Sequence, residues 1–177
     1  MNFGTGSTSD HLAEVDGIGR SIFTQTRQAQ GSSTPFDSTQ TTYGWTTTTS
    51  SVAGGLFTKA SMPYGGTAGQ SAPTGTPTTM TQNDALGRPL TVTDGGGGTV
   101  SYTYVKNDVL QSVGPTPMFQ KQLEYDGLGR LTSVCEITSA AGSGSCGQSN
   151  AATGFLTKYS YDALGNLLTV TQTWRHK

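Results

Sequence analysis

The sequence predicts an all-β protein assembled from short β-hairpins, with little helix. Three observations predict it. Gly, Ser and Thr supply 74 of the 177 residues, and Thr favours strands while Gly and Ser favour turns. A five-residue pattern, Asp-small-Leu/Ile-Gly-Arg/Asn, recurs four times along the chain. The residues beside it alternate between apolar and polar, as strands with one face turned inward do.

The pattern begins at Asp16-Gly17-Ile18-Gly19-Arg20 and returns at Asp84-Ala85-Leu86-Gly87-Arg88. It comes again at Asp126-Gly127-Leu128-Gly129-Arg130 and at Asp162-Ala163-Leu164-Gly165-Asn166. An Asp carboxylate accepts hydrogen bonds from backbone N–H groups two residues on and so nucleates a turn. A Gly supplies the positive φ that closes a hairpin loop with a bulge. The structural turn residues are therefore Asp16, Gly19, Arg20, Asp84, Gly87, Arg88, Asp126, Gly129, Arg130, Asp162 and Gly165. In the third copy Tyr125 and Arg130 are expected to face each other as a cation–π pair worth ~0.5–1 kcal/mol.

Taken in order, residues 1–30 read as a degenerate first hairpin. Residues 31–79 read as Thr/Gly/Pro-rich strands and a linker, with Thr41 to Val52 and Phe57 to Tyr64 as strand candidates and Gly65 to Thr79 as a long loop. Residues 80–173 form the repeat region, with an insertion flanked by cysteines at 135–146; residues 174–177 are a tail. Within the repeat region Val100, Tyr102 and Tyr104 alternate as a strand, and Tyr104 to Val109 is a degenerate turn. Leu123 and Tyr125 share one face, with Gln122 and Glu124 on the other. Tyr159 and Tyr161 precede the last turn; Leu168 and Val170 follow it. Asp94-Gly95-Gly96-Gly97-Gly98-Thr99 reads as a flexible connection.

Cys135 and Cys146 flank a Gly/Ser-rich stretch that can return on itself, so a disulfide is the expectation, with two free thiols as the alternative. A disulfide would imply an oxidising compartment. Their spacing is wrong for zinc, and no His lies nearby. No run of about 18 apolar residues exists, so no membrane span is expected. The segment Met1-Asn2-Phe3-Gly4-Thr5 lacks the basic start and apolar stretch of a secretory signal.

Composition argues against catalysis and nucleic-acid binding. Only 32% of residues are hydrophobic and 12% charged, with a net charge of -1. Ten scattered cations make no phosphate-binding patch. The two histidines, His11 and His176, lie near opposite ends, and there is no Gly-x-Ser-x-Gly elbow. The glycine run lacks the Lys-Ser/Thr of a P-loop, and calcium loops are missing. No catalytic residue, cofactor or metal is expected. The rings of Tyr125, Tyr159 and Tyr161 have two open readings, packing between hairpins or contact with glycans.

The string Tyr-Asp-x-Leu-Gly-Arg-Leu-x-x-Val resembles the YD repeat of Rhs proteins. It is clearest at Tyr125 to Val134 and Tyr161 to Val170; Asp84 to Thr93 fits except that Asn83 stands in the Tyr position, and Asp16 to Thr24 fits loosely. The resemblance implies a YD-repeat β-hairpin spiral, a solenoid or shell segment with Gly/Ser/Thr-rich loops. In Rhs proteins, toxin-complex proteins and teneurins many such repeats wrap into a hollow shell, which in bacterial members often encloses a toxic domain. It further implies a secreted or bacterial cell-surface location. The implied partners are neighbouring repeats of a longer chain, an enclosed toxin domain or surface glycans. The chain departs from the full pattern: it has no Asp-Pro dipeptide for self-cleavage, no toxin-like domain follows, and four or five hairpins cannot close a shell. The expectation is a non-catalytic structural segment, with a glycan-binding or adhesion module as the alternative.

Overall fold

The computed structural model describes residues 10–28, 33, 35–46, 54–115, 119–139, 146 and 153–172. These residues contain strands and turns and no helix. Two compact units divide the chain, Met1–Gly97 and Gly98–Lys177.

The first unit holds β1 (His11–Val15), β2 (Ser21–Arg27), β3 (Phe36–Thr46), β4 (Gly55–Ser61), β5 (Tyr64–Gly66), β6 (Thr78–Asn83) and β7 (Pro89–Thr93). They form an antiparallel sheet in the order β1-β2-β3-β4-β6-β7. Strand β3 is long enough to change partners. Its first half pairs with β2 on one side and with β5 on the other, and its second half pairs with β4. The second unit holds β8 (Thr99–Val105), β9 (Asp108–Val113), β10 (Phe119–Tyr125), β11 (Leu131–Ser139), β12 (Thr153–Tyr161) and β13 (Leu167–Gln172). These pair antiparallel, each with the next. Every connection within this unit joins neighbouring strands, so the pairing follows sequence order. Lys106, with φ 56°, makes the tight turn between β8 and β9.

The buried face is polar. Gln25, Ser38, Ser61, Gln82, Ser112, Gln122, Glu124 and Ser133 are buried, against Phe23, Tyr64, Cys135, Cys146 and Leu156 among the apolar residues. Buried polar groups are tolerated only when hydrogen-bonded. In the first unit the segment 67–77 meets this need. The Gln25 side chain donates to the Thr67 carbonyl at 3.0 Å and accepts from the Gly69 N–H at 3.1 Å. Gln40 accepts from the Ala72 N–H at 3.0 Å, and the Tyr64 hydroxyl donates to the Gln70 carbonyl at 2.7 Å. The stretch expected to be a long loop is thus fastened onto the sheet by the side-chain amides of Gln25 and Gln40 and by the Tyr64 hydroxyl.

In the second unit Cys135 and Cys146 are joined by a disulfide, with Cα atoms 5.4 Å apart. Both are buried with Leu156, and Ile137 packs against them. Residues 140–145, 147–152 and the tail 174–177 with His176 lie outside the described residues, as do residues 47–52 of the Thr-rich run. No helix among the described residues is long and apolar enough to cross a membrane.

Candidate functional site

The four Asp turns share one construction. In each, the Asp carboxylate Oδ1 accepts the backbone N–H two residues on and the one four residues on, at 2.8–3.0 Å. The Asp carbonyl accepts from the Gly N–H at 3.0–3.1 Å, and the Asp N–H donates to the carbonyl of the fifth residue. Gly19, Gly87, Gly129 and Gly165 have φ between 78° and 88°, where a side chain is strained. The register shifts at the residue before each Asp, giving the pairs Val15–Ser21, Asn83–Pro89, Tyr125–Leu131 and Tyr161–Leu167. The fifth residue completes the ring. Arg20, Arg88 and Arg130 donate from Nε to the second carboxylate oxygen at 2.7, 2.8 and 2.7 Å, and Asn166 donates from Nδ2 at 2.8 Å.

These contacts hold the carboxylates ionised. The backbone N–H and guanidinium of Arg130 keep Asp126 below the ordinary carboxylate range, and those of Arg20 do the same for Asp16. At Asp162 the Asn166 amide leads. At Asp84 loss of solvent pushes upward, but the bonds from Arg88 and Leu86 together outweigh it.

Arg20 and Arg130 also reach a later strand. The expected Tyr125–Arg130 pair does not form, because the register shift sets Tyr125 opposite Leu131. Instead the Arg130 guanidinium lies over the Tyr161 ring, 5.1 Å from its centre. Arg130 also donates to the Asp162 carbonyl at 3.1 Å, and the Tyr161 hydroxyl donates to the Leu131 carbonyl at 2.8 Å. The first unit repeats the device: Arg20 lies 4.1 Å from the Tyr43 ring centre, and the Tyr43 hydroxyl donates to the Ser21 carbonyl at 3.1 Å. In both, a guanidinium neutralised by its own Asp stacks on the ring of a later strand, and that ring is tied back to the residue after the Arg. Sequence reasoning missed Tyr43, because no Asp follows it. The available signal was the repeated order of Arg, then a strand, then Tyr.

Asp94 was also missed as a turn former. Its carboxylate accepts from the Gly96 N–H at 2.8 Å, its carbonyl accepts from Gly97 at 3.1 Å, and Gly97 has φ 88°. The glycine run is therefore an Asp-capped turn rather than a loose connection.

Of the candidate glycan rings, Tyr125, Tyr159 and Tyr161 are all half-buried. Tyr161 is engaged by Arg130, and Tyr159 stands opposite Val170. His11 sits on exposed β1, 3.1 Å from the Thr26 hydroxyl. Glu124 is a buried carboxyl bonded to the Ser133 hydroxyl. Burial pushes its pKa up against that bond; Asp108 adds to the push and Lys158 opposes it. A cleft of about 530 Å³ in the first unit is lined by Arg20, Tyr43, Trp45, Leu56, Thr58 and Asn83. Among the described residues no three His, Cys, Asp or Glu side chains gather as metal ligands.

No protein-family model matches this chain, and no curated protein matches its sequence.

Proposed function

We propose that this chain is a non-catalytic structural segment of an Rhs-type YD-repeat protein, a panel of hairpins in a secreted or cell-surface β-shell. The observation that carries the reading is the Asp-capped turn with its Arg–Tyr latch. The turn closes each of the four hairpins, and at Arg20 and Arg130 the latch fixes the turn to a later strand. A repeat unit buries little on its own and gains stability from its neighbours. The Cys135–Cys146 disulfide supports an oxidising compartment. Neighbouring repeats are the partners on this reading, and an enclosed toxin domain belongs to the longer protein.

The test is to sequence the DNA on both sides of the reading frame. Further YD repeats in frame support the panel. Stop codons with no repeats on either side overturn it.

One observation favours a second reading, a glycan-binding module. Trp45 is 59% exposed on the wall of the 530 Å³ cleft, beside guanidinium, amide and hydroxyl groups. A ring with a wet, hydrogen-bonding border suits a sugar face. Saturable binding on a glycan array, lost in Trp45→Ala or Tyr159→Ala, would select this reading.

A further inference from the structure

The aliphatic residue at the third position of each Asp turn has no structural work in the fold. Ile18, Leu86, Leu128 and Leu164 are 77%, 78%, 78% and 89% exposed. The turn uses only the backbone N–H of this residue, donated to the Asp carboxylate. Any residue except Pro supplies that donor, and polar residues are the usual occupants of turns. Yet all four copies carry Ile or Leu. Around the tip the space is open: a Cβ added at Gly17 or Gly127 would meet nothing within 4 Å.

We infer that the tips of each unit form an association surface, and that its partner is the same surface on a second copy of this chain. Three features select that partner. The ionic groups beside three of the tips are paired internally, Asp16 with Arg20, Asp84 with Arg88 and Asp126 with Arg130. Two such rims do not repel each other, and they offer little to an anionic lipid or a charged peptide. The tips within a unit also emerge from one end of its sheet. The turns carrying Leu128 and Leu164 are tied by the Arg130–Asp162 bond and lie two strand spacings apart, about 10 Å. A second pair of that pitch, offset by half, sets one leucine of each copy between the two of the other at about 5 Å, which is side-chain contact. The surface is self-complementary, as a two-fold contact between copies requires. This inference goes beyond the panel reading, which concerns neighbours within the sheet, and stands without it.

The experiment is sedimentation velocity on the full chain from about 1 µM to 1 mM, repeated with all four tips changed (Ile18→Ser, Leu86→Ser, Leu128→Ser, Leu164→Ser). The native chain is expected to associate reversibly. A single Leu128→Ser is expected to weaken association roughly ten- to a hundredfold. The fourfold variant is expected to be monomeric with an unchanged melting temperature, and Leu128→Ile with Leu164→Ile to associate like the native chain. A native chain that stays monomeric to the highest concentration overturns the inference, whether or not it floats with neutral phosphatidylcholine vesicles. Equal association of the native and fourfold-substituted chains also overturns it and locates the contact elsewhere, such as the exposed edge strand β13. Should the fourfold variant not fold, the single variants decide in the same way.

Discussion

At the scale of the residue, this protein reverses the usual placement of polarity. Glu124 and Gln122 are buried, while Leu164 and Leu128 stand in solvent. Burial raises the pKa of Glu124, so the folded state prefers the neutral acid. The linkage has a definite sign: the favourable contribution is complete below the unfolded value of 4.5 and is lost as pH rises through the higher folded value. Glu124→Gln removes that loss and still accepts the Ser133 hydroxyl. It is expected to raise the melting temperature at pH 7 and change it little at pH 4; an equal shift at both values would refute the argument. Gly129, at φ 78°, tests the turn. Gly129→Ala is expected to cost about 1 kcal/mol or more in denaturant titration, whereas Gly127→Ala, with open space around it, should cost far less.

At the scale of the element, the Asp-turn hairpins are closed locally, and those ending in Arg20 and Arg130 are also fastened to a later strand. Tyr161→Phe keeps the ring under Arg130 and removes only the hydroxyl bond to the Leu131 carbonyl. A loss of about 0.5–1.5 kcal/mol in chemical denaturation is expected. A loss near zero would mean that the Arg130–ring stack holds the latch without the hydroxyl. The disulfide fastens a different element. It ties Cys135 on β11 to Cys146 across a sequence separation of 11, and reduction is expected to cost about 3 kcal/mol from loop-closure entropy. Denaturation with and without a reductant measures this directly; identical midpoints would show that the native bridge adds nothing.

At the scale of the whole molecule, the four Asp turns act together. All four carboxyls titrate below the ordinary 3.8. Groups with depressed folded values stabilise the fold above the unfolded value, and that stability drains as pH falls through the folded values. The melting temperature is therefore expected to change little through these groups from pH 7 to 5 and to fall below about pH 4. A melting temperature that does not decline between pH 5 and 2 would contradict the shared turn chemistry. Replacing Asp126 by Asn should lower stability at pH 7 and shrink the acid-induced drop.

The repeat was legible because hairpin turns are local. Asp, Gly and Arg within five residues contain the donors, the acceptor and the positive φ, so the sequence by itself determined an all-β chain with turns at 16–20, 84–88, 126–130 and 162–166. Period-two alternation told the two faces of β10 apart, Leu123 with Tyr125 against Gln122 with Glu124. Which face is buried was decided only by the tertiary structure, since alternation is symmetric and the usual preference for apolar burial points the other way. The target of each Arg was also beyond local reading. Arg130 and Tyr161 are 31 residues apart in sequence, and they meet only because β12 runs back beside β11. The fastening of residues 67–77 was likewise not legible, because it depends on Gln25 and Gln40, whose side chains gain their partners only when the sheet brings distant strands together.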